Sequence, residues 1–260
     1  MMRHVPRKRF GQHFLTDESV IASIIAAVAP QRLDRLVEIG PGLEALTRPL
    51  SARLDHLHVI ELDRDLVARL RAGYPAGRVT IHEGDALKFD FGALGGALRV
   101  VGNLPYNIST PLLFRLAEQV AAIRDIHVML QREVVDRMVA VPSTAAYGRL
   151  SVMLQFRFAM ERVLDVPPGA FVPAPRVESA VVRMTPFARL PHPVADEGWL
   201  RKIVTAAFAQ RRKTLRNALR AHFSAADLER LGVNPGARAQ ELQVADFARL
   251  ADEAARVSAA

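Results

Sequence analysis

The sequence predicts an α/β fold, a largely parallel sheet with helices between its strands, followed by a small all-helical domain. Three observations predict it. Short apolar runs alternate with helical patterns through the first half of the chain. Two later strand-like segments follow each other with a proline-rich linker and no helix between them. Beyond Pro186, Pro191 and Pro193 the pattern is helical only. The expected division is 1–188 for the sheet domain, with a basic arm at its start, and 189–260 for the helical domain.

Taken in order, Leu36–Ile39, Leu57–Leu62, Val79–His82, Leu98–Val101 and Ile126–Leu130 are continuous apolar runs of strand length. Such runs suit strands covered on both faces. Helical patterns fall around them at 18–28, 44–53, 64–72, 110–118 and 131–139. The segments near 150–159 and 177–184 read as longer strands, and the turn-ending linker 165–176 makes them an antiparallel pair. The last helices are expected at about 197–222, 225–231 and 244–257.

A chain of 260 residues, half of them hydrophobic, can bury a sizeable core in one large or two modest domains. The longest apolar stretch, Val20 to Ala29, is interrupted by Ser23 and is too short to span a membrane. No hydrophobic signal segment opens the sequence. Cysteine is absent, which removes disulfide and thiolate chemistry and fits a reducing, cytoplasmic setting. The eight histidines show no metal-ligand spacing; His56 and His58 alone are too few, so no metal is expected. Neither a G-x-S-x-G elbow nor a Walker loop is present.

The net charge of +8 is unevenly placed. Residues 1–16 carry Arg3, Arg7, Lys8 and Arg9 without an acid, and residues 198–226 carry Arg201, Lys202, Arg211, Arg212, Lys213, Arg216 and Arg220 without an acid. The rest is mildly acidic. Two basic patches on such a body point to a polyanionic partner. The plainer reading of the second is a solvated helix face.

Three loops point to an adenosine-containing ligand. Glu38-Ile39-Gly40-Pro41-Gly42 joins the first sheet strand to a helix, and its glycines let backbone approach a ligand. Glu61 ends the next strand, 21 residues after Gly40, where a carboxylate can take both ribose hydroxyls. Asp85 ends the third and can accept from an adenine amine. The plainer readings are an ion pair of Glu61 with Arg64 and a capping role for Asp85. Gly40-x-Gly42-x-x-Ala45 also satisfies the dinucleotide pattern, so the loop alone leaves a nicotinamide enzyme open. Asn103-Leu104-Pro105-Tyr106, after the fourth strand, weighs against that. The Asn103 amide oxygen and a proline-fixed carbonyl at Leu104 can converge on an exocyclic amine while Tyr106 stacks on its ring.

The sequence resembles the small-subunit ribosomal RNA adenine dimethyltransferases. The likeness is carried by Arg7-Lys8-Arg9-Phe10-Gly11-Gln12-His13-Phe14-Leu15, by the glycine loop, by Gly102 through Ser109, by Phe171 through Ser179 and by Gln210 through Asn217. It covers about residues 7–250. It implies a Rossmann-like class I methyltransferase sheet with S-adenosyl-L-methionine as cofactor. The implied reaction is dimethylation of the N6 amines of two adjacent adenosines near the 3′ end of 16S rRNA in the small ribosomal subunit. The resemblance places His13, Leu15, Gly40, Gly42, Glu61, Asp85 and Asn103 at the cofactor.

On this reading Asn103, Leu104 and Tyr106 align the amine, and Phe171 holds the opposite face of the base. The plainer reading of Phe171 is a loop anchor. Lys202, Arg212, Lys213, Arg216 and Arg220 form an RNA-binding ridge along one helix. The enzyme is expected to act as a monomer, with no membrane association. Glu44 stands where relatives often have a small residue. Pointing outward it would suit a helix start; pointing inward it would repel the cofactor carboxylate. The rival readings are a resistance-type large-subunit rRNA methyltransferase and a non-catalytic RNA-binding assembly factor.

Overall fold

The computed structural model describes residues 13–210 and 212–258. The basic arm with Arg3, Arg7, Lys8 and Arg9, the motif residues before His13, and Arg211 lie outside the described residues.

The strands are β1 (Phe14–Leu15), β2 (Leu36–Ile39), β3 (Leu57–Glu61), β4 (Val79–Glu83), β5 (Leu98–Asn103), β6 (Ile123–Gln131), β7 (Phe158–Val166), β8 (Phe171–Val172) and β9 (Ser179–Pro186). The helices are α1 (Glu18–Val28), α2 (Thr47–Arg53), α3 (Arg64–Gly73), α4 (Ser109–Glu118), α5 (Arg132–Val139), α6 (Arg149–Gln155), α7 (Glu197–Phe208), α8 (Leu215–Ala218), α9 (Ala225–Arg230) and α10 (Val244–Ser258). Seven strands form one sheet in the order β4-β3-β2-β5-β6-β9-β7. The first five are parallel and β9 runs antiparallel to β6. β1 and β8 pair separately, with Phe14 opposite Val172 and Leu15 opposite Phe171.

Strand order reverses between β2 and β5, which opens a crevice beyond their carboxyl ends. All four residues of β2 are buried, as expected of a central strand with helices on both faces. The two strands also approach closely: a Cβ at Gly102 would lie 2.6 Å from the Ile39 carbonyl oxygen. α1 begins at Asp17, whose carboxylate accepts from the Ser19 and Val20 amides, and it buries Val20, Ile21, Ile24, Ile25 and Val28. Arg99, its side chain 6% exposed, ties the foot of β5 in place: it bonds Asp34 at 2.7 Å, Asp125 at 2.9 Å and the Val28 carbonyl at 2.7 Å. Removing one partner of such a buried pair costs about 3–5 kcal/mol.

The chain forms two compact units. One comprises the described residues up to Val135 with Met160–Pro186; the other comprises Asp136–Ala159 with Phe187–Ala260 as far as described. The expected division at 188 therefore misplaces residues 136–159, which share a core with the C-terminal helices through Tyr147, Val152 and Phe156. The segment expected to be a strand at 150–159 is mostly α6, and β7 starts only at Phe158. Leu150, Val152, Leu154 and Phe156 alternate as a strand would, but Ser151 is buried too. Periodicity cannot separate a helix buried all round from a strand.

The expected helix 197–222 is also interrupted. α7 ends at Phe208 and α8 begins at Leu215. The amides of Leu215 and Arg216 donate to Ala237 and Pro235, so a later segment fixes the second piece. Among the described residues no helix is long and apolar enough to cross a membrane.

Candidate active site

A cavity of about 220 Å³ lies at the strand ends of the first unit, walled by the loops after β2, β3, β4 and β5 and by residues 13–15. Gly40 and Gly42 both have positive φ, +69° and +55°, which is why glycine occupies them. A Cβ at Gly42 would lie 3.2 Å from the Phe14 ring, so this loop fits closely beneath β1.

Glu61 does not pair with Arg64, which reaches Glu83 instead. Its Oε1 accepts from the Leu62 and Asp63 amides, both at 2.8 Å, and shapes the turn into α3. Burial raises its carboxyl above the usual range, although the amides of Asp63, Leu62 and Gly42 oppose the shift. Asp85 lines the same wall, and its Oδ1 accepts from the Leu87 amide at 2.9 Å. The capping reading of Asp85 thus describes one of its oxygens.

Asn103 ends β5 in the cavity wall. Its Nδ2 donates to the His13 carbonyl at 3.0 Å, which fixes the amide and makes Oδ1 the acceptor. The Leu104 amide donates to the Met129 carbonyl at 3.1 Å, so β6 holds this backbone. The Tyr106 hydroxyl meets Ser179 Oγ at 2.6 Å. Burial raises its pKa against that hydrogen bond, so the phenol stays neutral at physiological pH. The His13 ring stacks on Tyr106 at 5.6 Å and 28°, covering one face. His13 Nδ1 lies 2.8 Å from the Pro173 carbonyl oxygen, which can only accept, so Nδ1 carries a proton.

Two expectations about side chains change. Phe171 is not at the cavity: it is 2% exposed within the hydrophobic core beside Leu15, Val166 and Ala170. Holding a base would require it to leave that core, so here it anchors the loop. Glu44 neither points outward nor faces the cavity. It has φ +72° and is 7% exposed, and its carboxylate takes Arg69 at 2.7 Å, the Tyr74 hydroxyl at 3.2 Å and Arg48 at 3.3 Å. The positive φ also delays the start of α2 from the expected 44 to Thr47.

Sequence reasoning gave no role to Glu38, which lines the cavity and is buried at 2% exposure. The available signal was a lone acid in an otherwise apolar strand. Among the described residues no group of three or more histidines and acids is arranged to hold a metal.

In the second unit, Arg212 and Lys213 lie in the turn before α8, Arg216 on α8 and Arg220 just beyond it, all exposed. They therefore do not form a ridge on one helix with Lys202 of α7, whose Nζ sits 4.3 Å from the Trp199 ring centre. None of the four arginine and lysine residues around α8 takes part in an ion pair found among the described residues. Arg230, Arg249 and Arg256 of the same unit are each tied to acids.

The comparisons bear on the whole chain. Residues 3–256 match the family described as "Ribosomal RNA adenine dimethylase". The chain belongs to this family. It is 62% identical over 244 residues to ribosomal RNA small subunit methyltransferase A of Thiobacillus denitrificans, covering 94% of this chain and 96% of that protein. It is 60% identical over 253 residues to the protein of the same name from Chromobacterium violaceum, covering 97% of each. A dimethyladenosine transferase from Plasmodium falciparum shares the fold, with TM-score 0.79 and 24% identity over 92% of this chain and 96% of that one. The 23S rRNA methyltransferase ErmE superposes with TM-score 0.72 at 25% identity, over 93% and 99%. The enzyme thus has a class I, S-adenosylmethionine-dependent methyltransferase fold with a helical C-terminal extension.

Proposed function

We propose that the enzyme transfers methyl groups from S-adenosyl-L-methionine to the N6 amines of two adjacent adenosines in the hairpin loop near the 3′ end of 16S rRNA, two to each, during small-subunit biogenesis. The observation that carries the site reading is the fixed Asn103 amide, its Oδ1 left as acceptor beside Tyr106 in the cavity of the glycine loop. The choice of RNA rests on the identity to small-subunit methyltransferases, 62% and 60%, against 25% for the large-subunit enzyme.

The cavity residues suit the cofactor. Gly40 and Gly42 admit close backbone approach, Glu61 keeps Oε2 for ribose hydroxyls, and Asp85 suits the adenine amine. The bound cofactor supplies an electrophilic methyl on a sulfonium. Asn103 Oδ1 and the Leu104 carbonyl would accept hydrogen bonds from the two N6 hydrogens in the first transfer, and from the one that remains in the second, turning the nitrogen lone pair toward that methyl. The gain is alignment and preorganised polarity. The amine becomes acidic only once methylated, so its proton leaves without a dedicated base. Tyr106, pinned by Ser179, offers the face that His13 leaves uncovered to a base taken out of its stack.

Arg212, Lys213, Arg216 and Arg220 supply sequence-independent phosphate contacts, and RNA shape and the pocket supply specificity. The enzyme works as a monomer in the cytoplasm on this reading. The test is methyl incorporation from labelled S-adenosyl-L-methionine into unmodified small and large ribosomal particles, with mapping of the modified bases. Dimethyladenosine confined to the 3′ hairpin of small particles is expected. Incorporation into large particles alone, or none, would overturn the proposal.

A further inference from the structure

In the sequence, His56 and His58 are too few to hold a metal. Folding adds a third ring. β4 pairs in parallel with β3, setting His58 opposite Thr80 and Ile60 opposite His82. Side chains two apart on a strand share a face, so His58, Thr80 and His82 stand together at the sheet edge, with His56 just before β3. His58 Nδ1 lies 3.2 Å from His82 Nε2. None of the three rings lines the cofactor cavity.

That separation discriminates among ions. Two nitrogens bound at about 2.0–2.1 Å to a tetrahedral zinc ion stand about 3.3 Å apart. At right angles, as in tetragonal or octahedral sites, the same bonds give about 2.9 Å.

We propose that His58 and His82 form a site for a zinc-class divalent ion, held through Nδ1 of the first and Nε2 of the second with water in the remaining positions.

The two rings are already oriented. His56 Nδ1 lies 3.2 Å from the Gly77 carbonyl oxygen, which can only accept, so Nδ1 donates and Nε2 accepts from the Thr80 hydroxyl at 3.0 Å. Engaged in this way, His56 packs edge-on against His58, with ring centres 4.8 Å apart at 70°. Phe89 does the same to His82 at 5.1 Å and 66°. Burial, reinforced by His56, lowers the pKa of both rings, that of His58 to about 4. Both are therefore unprotonated near neutral pH, the form that ligates a metal. Without an ion, the facing nitrogens share one N–H. The ion replaces that proton, which moves to the outer nitrogen of the same ring, so no net proton leaves. The face is half-buried, which lets water complete the coordination. Arg35, whose charge reaches His58, opposes a cation here. β4 is the edge strand of the sheet, so the ion ties that edge to β3 and stabilises the fold when bound.

The test is calorimetric titration of the metal-free, full-length protein with zinc chloride. One ion per chain is expected, with a Kd of roughly 1–100 µM because two protein ligands bind less tightly than four. His58→Gln removes a ligand but keeps an amide that can donate to His82; it should bind more than about tenfold weaker, as should His82→Phe. His222→Gln, far from the pair in sequence and in the other compact unit, should match the parent. Co2+ should show the strong visible absorption of a tetrahedral ion, and Zn2+ should abolish it. In the NMR spectrum of the parent, the ring signals of His58 and His82 should move on saturation with Zn2+, which locates the site even if a variant does not fold. No binding at millimolar Zn2+, parent-like binding by both variants, the weak absorption of octahedral Co2+, or ring shifts confined to other histidines would each overturn the proposal.

Discussion

Glu61→Gln separates two jobs that one carboxylate performs. Oε1 of Glu61 accepts from the Leu62 and Asp63 amides, each at 2.8 Å, and a glutamine oxygen can accept both. The variant should therefore keep the turn into α3. What it loses is the second, anionic oxygen that faces the ribose on our reading. A hydrogen bond to a charged group is worth about 1.5–3 kcal/mol, so affinity for S-adenosyl-L-methionine should fall about ten- to a hundredfold. Glu61→Ala should weaken binding similarly and also strand two backbone amides. At about 1 kcal/mol or more for each unsatisfied donor, it should be about 2 kcal/mol less stable, a drop in Tm of about 4–8 °C for a chain of this size.

The pH dependence gives a further check. Because the folded-state pKa of Glu61 is raised, its protonated form stabilises the cofactor-free fold, and that contribution fades as pH rises through the folded pKa. Glu61→Gln should flatten this part of the stability profile. Calorimetric binding and thermal unfolding of both variants measure all three effects. A Glu61→Gln protein that binds within threefold of the parent would refute the ribose assignment, and one as unstable as Glu61→Ala would refute the division of labour.

Three other outcomes are expected. Asn103→Ala deletes the fixed amide acceptor; single-turnover methylation at saturating cofactor and RNA should slow about a hundredfold, and a rate within a few-fold of the parent would exclude the role. Changing Arg212, Lys213 and Arg216 together to Gln should weaken binding to small ribosomal particles. It should also reduce the log–log salt slope by about two to three units with cofactor affinity unchanged; an unaltered slope would mark the patch as a solvated face. Phe171→Leu should cost about 2 kcal/mol in urea unfolding, as expected of a core residue losing apolar volume. The folded fraction should methylate within a few-fold of the parent rate; a hundredfold loss in chemistry would return Phe171 to the base.

Much of the first unit was legible in the sequence because its signals are local. The strands β2 to β6 are apolar runs, and their extents follow the expected ones to within three residues. The loop residues Gly40, Glu61, Asp85 and Asn103 each end or follow one of those runs, and strand order alone brings them to one cavity. α1, α9 and α10 likewise fall where their periodicity put them.

Tertiary structure decided what depends on distant partners. α6 alternates like a strand, yet packs as a helix because the C-terminal helices surround it. α7 and α8 are separate because residues 235–237 take the amides that begin α8. Phe171 looks like a loop aromatic until β1, more than 150 positions away, pairs with its strand and the core closes over it. Glu44 and Glu38 differ most plainly. Each is a single acid near a glycine loop, and nothing adjacent tells them apart. Arg69 and Tyr74, brought in by α3 and the residue after it, pair with and donate to Glu44, whereas Glu38 has the Thr47 hydroxyl as a neighbour and no ion pair among the described residues. A carboxylate's protonation depends on which charges and how much water surround it, and those are set by packing across the chain rather than by sequence neighbours.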